Sequence, residues 1–145
     1  MTGRPRLQRV IAYVWSLPNT ALGLALAVTA LLSGGRARIQ DGVVEAHGGA
    51  ATFLLRRLVP LRGGASALTL GHVVLGRDQE SLGRTRAHER VHVRQYEAWG
   101  PLFLPAYGLS SLVAAVRGKH YYRDNRFERE AWHGADGVSS RSRAD

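Results

Sequence analysis

Residues 81–99 read SLGRTRAHERVHVRQYEAW, and this stretch predicts one helix that carries two histidines four positions apart. Positions i and i+4 lie on the same face of a helix, so the imidazoles of His88 and His92 point the same way. Both can therefore reach one metal ion at about 2.0–2.1 Å. Glu89 would lie beside the open position of that ion, where a carboxylate takes a proton from bound water. The stretch predicts metal-dependent hydrolysis, with Glu89 as the general base.

A catalytic zinc usually has three protein ligands, so the chain must supply a third. A histidine at position 98 would continue the metzincin motif, but Ala98 stands there and that class is excluded. Glu97 lies about half a turn away from the two histidines. The remaining candidates are Glu128 and Glu130, in a short helix predicted over 126–133. Glutamates at i and i+2 face roughly opposite ways, so only one of them can be a ligand.

This H-E-x-x-H helix, followed by a second helix that reads Phe127-Glu128-Arg129-Glu130-Ala131, resembles the gluzincin zinc peptidases. That clan includes thermolysin-like enzymes, the CAAX-endopeptidase and HtpX-like membrane proteases, and the small minigluzincins. The resemblance implies Zn²⁺ as the cofactor and Glu128 as the third ligand, with Glu130 as the alternative. Trp132 stands where the family has an aspartate that orients a ligand, and Asp124 is the candidate replacement.

The resemblance also implies roles for residues outside the two helices. In gluzincins a strand before the H-E-x-x-H helix forms the rim of the cleft and pairs with extended substrate. Residues 65–75 are predicted to form one buried strand, and its candidate rim residues are Thr69, Leu70, Gly71 and His72. For His72 we expect a satisfied structural role rather than a catalytic one. Gluzincins often stabilise the oxyanion with a histidine or tyrosine, and the candidates here are His120, Tyr121 and Tyr122.

Two apolar segments suggest contact with a membrane. Residues 10–32 carry no formal charge and are long enough to cross a hydrocarbon core of about 30 Å. Three interpretations stay open: a membrane-inserted helix or hairpin kinked at Pro18, a cleavable signal peptide, or a buried core helix. Residues 102–116 are too short to span and contain Pro105 and Gly108, and a crossing there would separate the metal ligands. We expect them to form a helical hairpin or a helix packed on the first segment, with both outside the core.

The remaining patterns predict an α+β fold. Asp41-Gly42, between residues 36–40 and 43–47, is the sequence of a type I′ hairpin turn. Residues 52–61 are compatible with a strand or a short helix. We expect a short antiparallel sheet, the H-E-x-x-H helix and the third-ligand helix. The expected division is a basic, membrane-associated N-terminal part (1–35), a peptidase domain (36–133) with an apolar insert (102–117), and a disordered tail (134–145).

The amino-acid composition limits the kinds of site and of binding partner that the chain can have. The 145 residues include no cysteine, which excludes a disulfide scaffold, a cysteine-ligated zinc site and a thiol nucleophile. The net charge of +9 favours an anionic lipid surface, although a high arginine content also follows from genomic base composition. The arginines of the motif helix are expected on its solvated or lipid-facing side; they are Arg84, Arg86, Arg90 and Arg94. They lack interleaved aromatic residues, so nucleic acid is not expected.

The sequence therefore predicts a membrane-associated zinc peptidase that acts on a peptide or protein substrate. The expected location is a bacterial-type inner or cytoplasmic membrane. Basic residues flank the segment 10–32 on both sides, so they do not fix its orientation. The oligomeric state is left open as well. The alternative is a non-catalytic membrane-associated protein with a structural or vestigial metal site.

Overall fold

The computed structural model describes residues 5–142, and its fold is α+β, as the sequence predicted. The helices are α1 (Arg6–Leu32), α2 (Ala50–Arg57), α3 (Gln79–Trp99), α4 (Phe103–Val116) and α5 (Arg126–Ser142). A short 3₁₀ turn, Gly100–Leu102, joins α3 to α4. The strands are β1 (Arg36–Gln40), β2 (Val43–His47), β3 (Ala67–Leu70) and β4 (Val73–Gly76).

The four strands form one mixed sheet in the order β1-β2-β4-β3. The pairs β1–β2 and β4–β3 are antiparallel, whereas β2 and β4 are parallel, with Val44 opposite Val73. The expectation of a purely antiparallel sheet is therefore wrong. Parallel neighbours need a crossover connection, and α2 with the loop after it supplies one. As a result β3 lies at an edge of the sheet, as far as residues 5–142 are concerned.

Two tight turns set the strand pairing. Asp41 and Gly42 both have positive φ, 52° and 77°, which confirms the predicted type I′ turn. Residues 65–75, expected as one strand, form the hairpin of β3 and β4 instead. Gly71 has a φ of 61° and His72 does not have a positive φ, the pattern of signs in a type II′ turn. Glycine at the first turn position therefore reverses the chain where one strand, interrupted at Gly71, was predicted.

Helix α1 is a single helix of 27 residues that continues through Pro18, so the expected hairpin there is wrong. Its buried face consists of small or polar residues: Ala12, Ser16, Asn19, Gly23, Ala27 and Ala30. Its large apolar side chains point outward, among them Val10, Val14, Leu24 and Val28. Hydrogen bonds from Asn19 Nδ2 to the Gly100 carbonyl and from the His72 N–H to Thr20 Oγ1 hold the helix beyond the proline.

The inner face of α1 belongs to the core. Ala27 and Ala30 pack in one buried cluster with Leu55 of α2 and with Val73 and Leu75 of β4. Helix α1 also contacts α3 and the 3₁₀ turn, which begins the second apolar segment. The expectation that both apolar segments lie outside the core, packed on each other, is therefore wrong for α1. Its small residues allow the close approach to the sheet, while its outward face stays apolar.

Residues 103–116 form one helix, α4, so of the two expected alternatives the hairpin is wrong. Pro105 is the third residue of α4, where the missing N–H would have no partner within the helix, so the proline is tolerated. Two helical stretches are long and apolar enough to cross a membrane: Arg6–Leu32, and Gln79–Val116, which runs from α3 through α4. The charged residues of the second stretch lie in α3, and its apolar residues lie toward α4.

Helix α5 continues to Ser142, so the expected helix end at His133 and the expected disorder over 134–142 are both wrong. Its first turn packs against α3 and α4 through a buried aromatic cluster of Tyr96, Phe103 and Phe127. This packing anchors the first turn, after which each added residue gains one backbone hydrogen bond for the entropy that it loses. Residues 1–4 and 143–145, the ends of the predicted basic N-terminus and tail, lie outside the described residues.

Candidate metal centre

Three buried side chains from two helices meet at one point. The Nε2 atoms of His88 and His92 lie 3.1 Å apart. Glu128 Oε2 lies 3.1 Å from His88 Nε2, and Glu128 Oε1 lies 3.3 Å from His92 Nε2. The structure thus brings together the two motif histidines and the first of the two candidate glutamates. Glu130 lies outside this group, because its carboxylate accepts a hydrogen bond from Gln95 Nε2 at 3.2 Å.

The spacing of the donor atoms is compatible with a four-coordinate metal. In a regular tetrahedron with metal–ligand bonds of about 2.0–2.1 Å, neighbouring ligand atoms lie about 3.3 Å apart. The two Nε2 atoms lie 3.1 Å apart, and the shortest distances from them to Glu128, 3.1 and 3.3 Å, end on its two different oxygens. Two imidazoles and one carboxylate also form a donor set that zinc accepts. His88, His92 and Glu128 could therefore hold a metal ion.

Helix α3 begins in a way that fixes the direction of its histidines. Asp78 is the N-cap and its carboxylate accepts a hydrogen bond from the Ser81 N–H at 2.7 Å. This cap satisfies one of the free N–H groups of the first turn. Leu82, which is buried with Val74 and Val93, places the next turns against the sheet. The face that carries His88 and His92 then points toward α5.

Gln95 fixes the orientation of His92. Its Oε1 lies 2.8 Å from His92 Nδ1, and its Nε2 donates to the Phe127 carbonyl at 3.1 Å. Since the amide nitrogen is used on the α5 side, the oxygen must accept from a protonated Nδ1. The lone pair of His92 Nε2 then points into the three-residue group, which is the tautomer that a metal ligand needs. Sequence reasoning missed Gln95, although its position three residues after a ligand histidine is a usable signal.

His88 is oriented by packing. The ring of Trp132 lies against the His88 ring, with centroids 4.4 Å apart and planes tilted by 52°. The buried Nδ1 of His88 has no hydrogen-bond partner among residues 5–142. Asp124, the predicted replacement for the orienting aspartate, is exposed and accepts a hydrogen bond from the His120 N–H instead. That prediction is wrong, because Asp124 closes the turn before α5 rather than reaching the histidines.

The carboxylate of Glu128 is held in place by a residue outside the three-residue group. Tyr107 of α4 donates a hydrogen bond to Glu128 Oε1 at 2.7 Å, and Tyr122 lines the same cavity as this carboxylate. Burial alone would raise the pKa of this carboxyl, but the adjacent imidazoles of His88 and His92 and the hydrogen bond from Tyr107 outweigh burial and hold the pKa well below its usual range. Glu128 therefore stays ionised at neutral pH. Sequence reasoning missed Tyr107, the one phenol within an otherwise apolar helix.

Glu89 is buried next to the group without belonging to it. Its Oε2 accepts a hydrogen bond from Thr69 Oγ1 of β3 at 2.6 Å. Tyr96, two turns further along α3, donates from its hydroxyl to the Thr69 carbonyl at 3.0 Å. These two bonds tie the edge strand to α3 beside the histidines. Glu89 thereby lines the same cavity as the three-residue group, and its role as general base stays a prediction.

A cavity of about 530 Å³ opens onto these residues. It is lined by His88, Glu89, His92 and Glu128 at its polar end. Its other walls are mostly apolar and come from α2 and the loop after it, from β3 and from α4. Of the predicted rim residues only Thr69 lines the cavity, together with Ala67 and Leu68. The rim therefore lies two residues earlier in the chain than predicted.

The candidates for oxyanion stabilisation divide clearly. Tyr121 and Tyr122 both line the cavity, and Tyr121 donates its hydroxyl to the Pro60 carbonyl across the cavity wall. His120 does not line the cavity. It is exposed, and its Nδ1 accepts hydrogen bonds from the N–H groups of Tyr122 and Arg123 at 3.2 Å. The structure thus removes His120 from the set and keeps the two tyrosines.

His72 has a structural role, as expected, although it lies in the hairpin turn and not within a strand. It is buried between α1 and α3, with Nδ1 3.0 Å from Ser16 Oγ and Nε2 3.0 Å from Glu97 Oε1. Tyr13 stacks on its ring, with centroids 4.0 Å apart. Leu70 and Gly71 likewise face α1 or the core and not the cavity, since a Cβ on Gly71 would meet Thr20.

Two of the four arginines expected on the outer face of α3 are engaged inside the fold. Glu45 of β2 is buried, and its carboxylate accepts hydrogen bonds from Arg86 at 2.9 Å and from Arg90 at 3.2 Å. Arg38 of β1 donates to the same carboxylate at 3.0 Å. Burial opposes ionisation of Glu45, but the hydrogen bonds from Arg86 and Arg38 outweigh it and lower its pKa. This cluster fastens the β1–β2 hairpin to α3.

The comparisons with known proteins add no relative. Models of protein families, curated proteins and solved structures were all compared with the chain, and none of them matches it. The function proposed below is therefore inferred from the geometry of the site and from its resemblance in motif.

Proposed function

We propose that this chain is a membrane-associated zinc metallopeptidase of gluzincin type. The observation that carries the proposal is the meeting of His88, His92 and Glu128: the two Nε2 atoms lie 3.1 Å apart, and each lies 3.1 or 3.3 Å from one of the two Glu128 oxygens. Glu89 lies beside them and a cavity of about 530 Å³ opens onto all four residues. Metal ligands, an adjacent carboxylate and an accessible cleft are the parts that hydrolysis of a peptide bond needs.

Each residue has a distinct task in this proposal. When bound, the zinc polarises the scissile carbonyl and lowers the pKa of the attacking water. Glu89 takes the proton of that water and passes it to the leaving amine. Thr69 holds Glu89 in place through the 2.6 Å hydrogen bond, and Tyr107 holds Glu128. Tyr122 lines the cavity next to Glu128 and is the phenol best placed to donate to the oxyanion.

The shape of the cleft favours an extended peptide with a large apolar side chain. Strand β3 lies at an edge of the sheet and borders the cavity with Ala67, Leu68 and Thr69. An exposed strand edge can pair with an extended chain through main-chain hydrogen bonds. The cavity walls also include Leu54, Leu58 and Phe103. Burying an aliphatic or aromatic substrate side chain against such a wall, next to the cleaved bond, lowers the free energy of binding.

The outward faces of α1 and α4 support the membrane part of the proposal. In α1 the inward face is small and polar while Val10, Val14 and Leu24 are exposed, the reverse of a helix on the surface of a water-soluble domain. Helix α4 exposes Leu109, Leu112 and Val116. Exposed apolar faces of this extent mark contact with lipid or with another protein. The ligand-bearing helices α3 and α5 pack on each other beside these faces.

The test combines two substitutions with two measurements on the full chain purified in detergent. Glu89→Gln should abolish peptide cleavage, by about 10²–10⁴-fold, while zinc content stays at one per chain. Glu128→Gln should lose zinc and cleavage together, because it removes an anionic ligand. Glu80→Gln, on the exposed first turn of α3, is the matched control and should change neither. A parent protein that binds zinc but cleaves nothing in a broad peptide library would favour the structural-metal alternative.

A further inference from the structure

A second cavity, of about 470 Å³, lies between the end of α4 and the start of α5, apart from the cleft. Its charged or titratable lining residues are Arg117, Lys119, Asp124, Arg126, Arg129 and His133. Arg126, Arg129 and His133 are spaced i, i+3 and i+7, so they share one face of α5. Arg117 and Lys119 come from the end of α4 and the turn after it. Two separate parts of the chain therefore direct cations at the same space.

The charge of this cavity is not balanced within residues 5–142. Four permanent cations line it, against the single carboxylate of Asp124, which already accepts the His120 N–H. None of the four cations forms an ion pair with a described residue. Elsewhere in this chain three clustered arginines share the buried Glu45. All four cations are exposed, so solvent screens part of their mutual repulsion, and an anion held between them would remove more of it.

The surroundings of the cavity indicate what kind of anion. Val113 lines the cavity and also belongs to the exposed apolar face of α4, with Leu109, Leu112 and Val116 on the adjoining positions. Leu109 is 62% exposed and Val116 is 79% exposed. A ligand that places a negative group in the cavity would therefore lie directly beside an exposed apolar surface. A free phosphate ion or a nucleic acid would use the cations and leave that surface in water.

We propose that this cavity binds the phosphate headgroup of an anionic phospholipid, whose acyl chains lie along α4. The four cations neutralise the phosphate, and the apolar face of α4 covers the upper part of the chains. The proposal rests on the membrane location proposed above, but not on the metal or on catalysis. Glu128 is on the same helix, yet it faces α3, so occupancy of the cavity leaves the donor atoms untouched.

The experiment measures lipid retention by the full chain in neutral detergent, using native mass spectrometry. The probes are dioctanoyl-phosphatidylglycerol and dioctanoyl-phosphatidylcholine. We expect one phosphatidylglycerol to bind per chain, at least about tenfold more tightly than phosphatidylcholine. Arg126→Gln with Arg129→Gln should weaken phosphatidylglycerol binding about tenfold or more. The backbone N–H of Arg126 donates a hydrogen bond to Ser110 Oγ at 2.9 Å, which helps to join α5 to α4. Because this bond does not involve the arginine side chain, the substitution keeps it.

The matched control is Arg36→Gln with Arg62→Gln, which removes two exposed charges elsewhere and should leave retention within twofold. If the first double variant does not fold, Arg117→Gln with Lys119→Gln takes its place, because both residues are exposed where α4 ends. Equal retention of the two lipids, or equal losses in the cavity and control variants, would overturn the proposal. So would inorganic phosphate or an oligonucleotide that binds the cavity as tightly as phosphatidylglycerol. Zinc content, measured on the same variants, should not change, which separates this result from the fate of the metal site.

Discussion

Glu128 Oε2 lies 3.1 Å from His88 Nε2, although the two residues belong to different helices and are joined by the whole of α4. The contact exists because α4 returns the chain to α3, and because Phe127 then packs into the aromatic cluster with Tyr96 and Phe103. Gln95 adds a direct hydrogen bond from α3 to the Phe127 carbonyl. The position of Glu128 beside the histidines thus depends on the contacts that its neighbour Phe127 makes between α5 and α3.

The first prediction concerns this fastening. Gln95→Met keeps the volume of the side chain but removes its hydrogen bonds to His92 and Phe127. We expect zinc affinity to fall by about 10–100-fold, because His92 loses the partner that fixes its tautomer. Competition with a chromogenic chelator measures this. The neighbouring Arg94→Gln, an exposed change, is the control, and equal affinities for the two variants would show that Gln95 does not orient the ligand.

The second prediction concerns acid stability. Glu45 has a lowered pKa in the folded chain, so its ionised form stabilises the fold. That contribution is fully present above the unfolded pKa, near 4.5, and is lost as pH falls through the lower folded pKa. Glu45→Gln should therefore reduce the free energy of unfolding at pH 7 by about 3 kcal/mol, since it leaves three arginines without their shared carboxylate. Denaturant unfolding in detergent measures the difference.

Denaturant unfolding repeated at several pH values shows whether the contribution of Glu45 to stability depends on its charge. The difference between the parent and Glu45→Gln should shrink as pH falls below about 5, because protonation removes the same charge from the parent. Glu80→Gln, whose carboxylate is exposed and paired only with Arg84, should behave like the parent throughout. A difference that stays constant from pH 7 to pH 3 would mean that the arginine cluster does not depend on the charge of Glu45.

The third prediction tests the close approach of α1 to the sheet. A Cβ on Gly23 would lie 2.7 Å from Val73 Cβ and 2.8 Å from the Leu70 carbonyl oxygen. Gly23→Ala should therefore destabilise the fold by about 1–3 kcal/mol, despite the better helix propensity of alanine. Gly83→Ala in α3 meets nothing within 4 Å and should stabilise by about 0.5–1 kcal/mol. If both substitutions stabilise, α1 is not docked as described.

The fourth prediction concerns the outward face of α1. The expressed chain should remain in the membrane fraction after washes with high salt and alkaline carbonate, and detergent should release it. Leu24→Asp with Val28→Asp should move the chain toward the soluble fraction, since each charge costs about 2.5–3.5 kcal/mol within a membrane. Ile39→Asp, on the exposed side of β1, is the control. Release of the parent by salt alone would make the attachment electrostatic.

The sequence predicted local features well and long-range ones poorly. The Asp41-Gly42 turn follows from the backbone preferences of those two residues. The shared face of His88 and His92 follows from the period of the helix, which is also a local property. The parallel pairing of β2 with β4 depends on where α2 sends the chain, which no local pattern encodes. The hairpin at Gly71 was missed because an apolar run with one glycine is typical of a bent strand and of a tight turn alike.

The site divides in the same way. Glu128 was named because its position in a second helix resembles a known ligand motif, and its donor atoms do lie beside the histidines. Gln95 and Tyr107 were missed because their partners come from other helices, so only the assembled fold gives them meaning. Asp124 was misjudged for the converse reason: its carboxylate serves the adjacent turn, a local role that outweighed the one expected by analogy.

The central claim is that His88, His92 and Glu128 hold one zinc ion, and X-ray absorption at the zinc edge tests it most directly. The full chain, purified in detergent and loaded with one equivalent of Zn²⁺, should show four nitrogen or oxygen neighbours at about 2.0–2.1 Å. Outer-shell scattering should require two imidazoles. Zinc that binds below one per chain, or a six-oxygen shell without imidazole scattering, would contradict the metal centre and the proposed function with it.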